Sequence, residues 1–144
     1  MSVFDSFNIN ASGLALERLK LDTISTNIAN VNTTRTAEGG PYRKKTVMFE
    51  ESMKASRDQL ASAEGRKSFG VKVTGLEQDQ RTTNLSYSPG HPDANEDGYV
   101  ELSNVNLSDE MIEMMNTVRT YEANVSAFES SKNLMKKALE ITKD

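Results

Sequence analysis

The chain has no cysteine, no tryptophan, one histidine and three prolines among its 144 residues. Without cysteine, neither a disulfide framework nor a thiolate metal site holds it together. The single histidine, His91, lies between Gly90 and Pro92. Catalysis by a nucleophile or a general base needs groups that converge, and nothing local supplies them. His91 therefore reads as structural, and the chain is not expected to be an enzyme. No apolar run approaches the ~20 residues that cross a bilayer, so no membrane insertion is expected. Met1 to Ser6 lack the basic stretch and apolar core of a cleaved signal peptide, which predicts a cytoplasmic chain or one exported without cleavage. The net charge of −4 and pI of about 5.1 argue against a nucleic-acid partner. Arg43-Lys44-Lys45 is the one basic cluster and reads as a solvated strand edge. Apolar residues make up only 36%, with a mean hydropathy of −0.58, lean for a chain that must enclose its own core.

What the sequence does have is one long helical pattern, Leu107 to Ile141, free of Gly and Pro. A heptad fits it, with Met111, Val118, Val125, Lys132 and Leu139 at a, and Met114, Tyr121, Phe128, Met135 and Thr142 at d, Lys132 and Thr142 being the two positions that do not bury apolar surface. Ile112, Met115, Leu134 and Ala138 widen the stripe. Asn106 or Ser108 can cap its start. Asp109, Glu110 and Glu113 face the positive end of the helix dipole, and Lys132, Lys136, Lys137 and Lys143 crowd the negative end. At 1.5 Å per residue such a helix runs roughly 50 Å, longer than a globule of this size is wide. An apolar stripe on a protruding helix needs a partner.

The first partner is internal. Phe7, Leu14, Leu21 and Ile28 recur every seven residues, flanked by Ile24 and Val31. The pattern predicts a helix over 11–30, capped by Asn10 or Ser12 and ended by Asn30, Asn32 and Thr33-Thr34. Leu14, Leu21, Ile24 and Ile28 are expected to face Val118, Val125, Phe128 and Met135. Between the helices, strands are expected over 42–49, around Phe69-Val73 and Thr83-Tyr87, and over 98–102, with a polar loop or short helix over 50–67. The fold class is thus mainly α with a small β insertion. Residues 1–34 and 106–144 form paired terminal helices, an extended coiled-coil-like unit, and 35–105 the β and loop region between them.

One metal pattern calls for comparison. Asp93, Asn95, Asp97 and Gly98 stand at the first, third, fifth and sixth positions of a calcium loop. Asn104 occupies the twelfth, where that loop needs a bidentate Glu, so the segment reads as a turn and no metal or cofactor is expected.

The stretch from Leu21 through Asn27-Ile28-Ala29-Asn30 to Val31-Asn32-Thr33 resembles the N-terminal signature of bacterial flagellar rod and hook proteins. Gly40-Pro41-Tyr42-Arg43-Lys44-Lys45, the run from Gly90 to Val100, Arg119 to Val125, and Lys137 to Ile141 resemble the proximal-rod branch of that family, in the same order. Many relatives carry a Gly-Tyr-Lys/Arg step straight after the Asn-Thr; here Thr34 to Gly40 intervenes, a longer connection that the proximal-rod branch shares. The resemblance implies a structural subunit of the basal body, outside the cytoplasmic membrane. It further implies export through the flagellar secretion apparatus and assembly with copies of itself and other rod proteins. A secreted coiled-coil adaptor or effector, binding one partner through the same stripe, is the alternative. Asn27, Asn30 and Asn32 then have two readings: contacts to a neighbouring subunit, or a plain helix stop in which Asn takes left-handed backbone. The first predicts that Asn27→Ala and Asn30→Ala leave the lone subunit as stable as before.

Overall fold

A computed structural model describes residues 3–55, 66–81 and 83–141. The elements run α1 (Val3–Ala29), β1 (Lys45–Ala55), β2 (Arg66–Gln78), β3 (Asn84–Tyr87), β4 (Tyr99–Leu102) and α2 (Leu107–Ile141). Two helices thus enclose a small β region made of two two-stranded sheets, β1 with β2 and β3 with β4.

The bounds of α2 are those that the sequence predicts. Asn106 is its cap, its Oδ1 accepting from the Ser108 N–H at 2.9 Å, and no Gly or Pro interrupts the 35 residues of the helix. α1 begins about two turns before the expected start, carrying Asn8, Asn10 and Ser12 inside the helix rather than at its cap. β1 extends to Ala55 and β2 starts at Arg66, so both ends of the expected 50–67 loop are strand; the remainder of that loop lies outside the described residues.

The chain divides into two compact units, each drawing on both helices and on the middle of the chain. The first comprises residues 1–19, 48–75 and 117–144. In it Phe7 meets Phe128 edge-to-face at 5.1 Å, and a side chain at Gly13 would sit 3.2 Å from the Asn124 amide. As the position on α1 rises, that on α2 falls, so the two helices run antiparallel here. Gly costs a helix about 1 kcal/mol relative to Ala, and the close approach of Asn124 gives Gly13 its reason. Gly70 on β2 takes a positive φ of 97° beside α1, where Ser12 Oγ accepts from the Val71 N–H at 3.2 Å.

The second unit comprises residues 20–47 and 76–116. Its core holds Ile24, Tyr42, Val47, Val100 and Val105. β3 and β4 pair antiparallel, Ser86 opposite Val100 and Tyr87 opposite Tyr99. Alternation along the strands turns Val100 inward and leaves Leu85, Tyr87 and Tyr99 on the outer side.

Candidate functional site

In the second unit the end of α1, the approach to β1 and the start of α2 meet at one side chain. Asn27 follows Ile24 by three positions and so continues the inward face of α1. It is 1% exposed. Its Nδ2 donates to the Lys45 carbonyl and to Glu110 Oε2, both at 2.9 Å. Its Oδ1 accepts from the Tyr42 hydroxyl at 2.9 Å and the Lys45 N–H at 3.0 Å. Two donors and two acceptors are all that an amide side chain has, and all four are used within the chain.

Glu110, in the first turn of α2, is fully buried, where the helix dipole favours a carboxylate. Its Oε1 has no well-formed hydrogen bond and faces the Lys44 ammonium in an ion pair. Glu113 adds a second, more distant carboxylate at 3.5 Å from Lys44 Nζ. Burial pulls the Lys44 ammonium down from its ordinary value, but the close contact and charge of the Glu110 carboxylate, with Glu113 assisting, outweigh it and leave it raised. Burial, and then the Glu110 charge, raise the Tyr42 phenol, which stays neutral and donates. Extended backbone turns alternate side chains to opposite sides, so Tyr42 and Lys44 point inward while Arg43 and Lys45 line an outer cleft. The Lys44 N–H donates to Asn104 Oδ1 at 2.8 Å, and the Asp79 N–H to the Lys44 carbonyl at 2.8 Å, fastening the same segment to the approaches of α2 and β3. Every group here is spent on another of the same chain. The arrangement acts as a crosslink.

The other two asparagines of the motif differ. Asn30 is half-buried; its Nδ2 donates to the Thr26 carbonyl in the last turn of α1, and its Oδ1 accepts from Thr33 Oγ1. Asn32 is exposed. Among the described residues no non-glycine takes a positive φ, so the helix ends without a left-handed Asn.

The residues expected to pack between helices fall into three sets. Ile24 is buried, and Leu14, Leu21, Ile28 and Val31 are half-buried. On α2, Met114, Tyr121, Val125, Phe128 and Met135 are half-buried, while Met111, Val118 and Leu139 stay exposed in the single subunit. Inward-facing residues of α2 also include Glu110, Thr117, Asn124 and Ser131, a polar row spaced by seven. The d row and this row face the subunit, and the a row mostly does not. Glu110 was legible only as a dipole residue; its place in that row is the signal that marks it as inward.

In the calcium-like turn the side-chain oxygens of Asp93 and Asn95 are used internally. Asp93 accepts from Thr34 Oγ1 at 2.9 Å and faces Arg35 at 3.4 Å, and its own N–H donates to His91 Nδ1. Asn95 Oδ1 accepts from the Asp97 and Tyr99 N–H groups.

Two family models match the chain, "Flagella basal body rod protein" over residues 7–35 and "Flagellar basal body rod FlgEFG protein C-terminal" over residues 96–141. The flagellar basal-body rod protein FlgC of Borreliella burgdorferi is 41% identical, over 98% of both chains. The chain belongs to the FlgC family of flagellar basal-body rod proteins. FlgC of Bacillus subtilis is 40% identical over 99% of this chain and 100% of its own, and FlgC of Salmonella typhimurium 34% over 96% and 97%. In this FlgC-family chain, Asn27 lies in the first matched segment and Glu110 in the second. Among the described residues no helix is long and apolar enough to cross a membrane.

Proposed function

We infer that the chain is a structural subunit of the flagellar basal-body rod and builds its proximal part by helical assembly with copies of itself and other rod proteins. The near full-length likeness to FlgC carries this reading. The subunit is structural rather than catalytic: its best-built polar cluster joins segments of the chain to one another. The terminal segments, 1–34 and 106–144, form the axial part as a coiled-coil-like pair, with 35–105 as an insertion. Contacts at 5.1 Å between Phe7 and Phe128 and at 2.9 Å between Asn27 and Glu110 support that pairing.

Assembly draws on the apolar surface that the single subunit leaves open. Leu107, Met111 and Met115 fall at spacings of four, one side of α2, and are about half exposed. Asn30 and Asn32 are the motif residues placed to meet a neighbour, since Asn27 has no hydrogen-bonding capacity left. Export follows the flagellar secretion route without cleavage, and the chain takes its place outside the cytoplasmic membrane. Deleting the gene in its host and supplying a tagged copy tests this: the tagged chain should copurify with basal bodies and restore rods. A tagged chain that restores motility yet stays in the cytoplasm would overturn the reading.

A further inference from the structure

The basic cluster Arg43-Lys44-Lys45 is split by the fold. Lys44 turns inward to Glu110, while Arg43 and Lys45 line a cleft of about 520 Å³ with Glu38, Tyr42, Gln78 and Gln80 among its walls. Among the described residues neither Arg43 nor Lys45 is ion-paired; the Lys45 ammonium lies 5.9 Å from the Tyr42 ring. Two cations against the single carboxylate of Glu38 leave the cleft one charge positive, on a chain whose net charge is −4. Cations so placed favour an acidic partner.

The same unit carries an acidic knob. Glu96 and Asp97 sit at the tip of the turn before β4, both exposed and neither ion-paired among the described residues. The turn is held from within: Asn95 Oδ1 accepts two backbone N–H groups, the Asn95 N–H donates to the Tyr99 carbonyl at 2.8 Å, and Gly98 supplies a φ of 78°. A side chain at Gly98 would press on Tyr87 and Pro89, so the turn has little room to reshape. Both carboxylates are therefore presented already ordered, which lowers the entropy lost on docking.

We propose that the cleft beside Arg43 and Lys45 receives the Glu96–Asp97 turn of a second copy of this chain. Two different surfaces meet, so the contact is head-to-tail and propagates around a ring or along a helix instead of closing as a dimer. It rests on the reading of the chain as a rod subunit and names which surfaces of two copies touch.

The absence of native cysteine makes the test direct. In cells lacking the native copy, the full chain carries both Lys45→Cys and Asp97→Cys, and isolated basal bodies are oxidised and run without reductant. The expected result is a ladder of crosslinked dimers and larger species, absent from either single variant. A double variant that is present in basal bodies but gives only monomer overturns the contact while leaving the rod reading intact. A chain absent from basal bodies, with the unsubstituted chain absent too, overturns both. Charge exchange supplies the second arm. Arg43→Glu with Lys45→Glu, or Glu96→Lys with Asp97→Lys, should weaken self-association of the full chain by roughly tenfold, with mixing of the two restoring it. Loss from the first pair alone would mean that the cleft meets a surface of the second copy other than the Glu96–Asp97 turn, and overturns the proposal.

Discussion

Asn27 and Glu110 are 83 positions apart and share a buried hydrogen bond of 2.9 Å. One lies in the last turns of α1, the other in the first turn of α2, and both are closed to solvent. The amide also holds the Tyr42 hydroxyl and both backbone groups of Lys45, so three segments depend on it. Truncating Asn27→Ala strands a buried carboxylate oxygen, a phenol and two backbone groups. Stranding one buried polar group costs about 1–3 kcal/mol, so the full loss should reach about 3 kcal/mol or more. Asn30→Ala should cost less than about 1 kcal/mol, because its partners can turn to water. Urea unfolding of the purified subunit compares the two, and equal midpoints would contradict the geometry.

The Lys44–Glu110 pair should behave unequally when cut from either side. Glu110→Ala leaves a partly buried ammonium with only the 3.5 Å contact to Glu113, and takes one of its two acceptors from the Asn27 amide. Breaking a buried pair costs about 3–5 kcal/mol, and the 20% exposure of the Lys44 side chain places this one at the low end. Lys44→Met leaves the more deeply buried charge and should cost more. Unfolding free energies of the two single variants and the double give the coupling; no coupling would mean that the pair is held apart in solution.

Alkaline pH should loosen the subunit. The Tyr42 and Lys44 protons are both held above their ordinary values of 10.0 and 10.5 in the fold. A raised value means that the folded chain binds the proton more tightly, so its contribution is complete below pH 10 and falls as pH rises through the folded values. Thermal unfolding from pH 8 upward should show a flat region and then a decline beginning near pH 10. In Tyr42→Phe the decline should be shallower, despite a lower starting stability.

Gly70 should tolerate no side chain. Its φ of 97° strains any L residue, and an added Cβ would overlap Ser12 Oγ and lie 3.1 Å from the Ile9 Cα. Gly70→Ala is expected to cost about 2–3 kcal/mol, left-handed strain plus overpacking. Adding Ser12→Ala should return part of that, since it removes the nearest atom. Full recovery in the double variant would show that backbone strain is not involved.

The open side of α2 gives the opposite expectation. Met111→Ser and Met115→Ser alter exposed residues, so the lone subunit should change by no more than about 0.5 kcal/mol. Rod assembly in cells should fall sharply. Normal motility from the double variant would exclude this side of α2 as an assembly surface.

The helices were legible to different degrees. α2 could be read to the residue because cap, charge gradient and an apolar period broken within the helix only at Lys132 agree. The first turns of α1 could not: Asn8, Asn10 and Ser12 favour caps, and the contact of Phe7 with Phe128 outweighs that local preference. β1 runs on through Glu50-Glu51-Ser52, where no apolar alternation marks a strand, because backbone pairing with β2 carries it. The crosslink at Asn27 left the faintest trace. A polar contact across most of the chain has no period, and only the seven-residue spacing of Glu110, Thr117, Asn124 and Ser131 points inward.

That spacing in sequence also sets an order in time. Ribosomes make the chain from its N-terminus, so α1 is complete long before Glu110 exists. Tyr42 and Lys45 come early enough to engage Asn27, yet its remaining donor waits for 83 more residues. A nascent or incomplete chain therefore has an open latch, and the end of α1 is fastened to the start of α2 only after synthesis has passed Glu110.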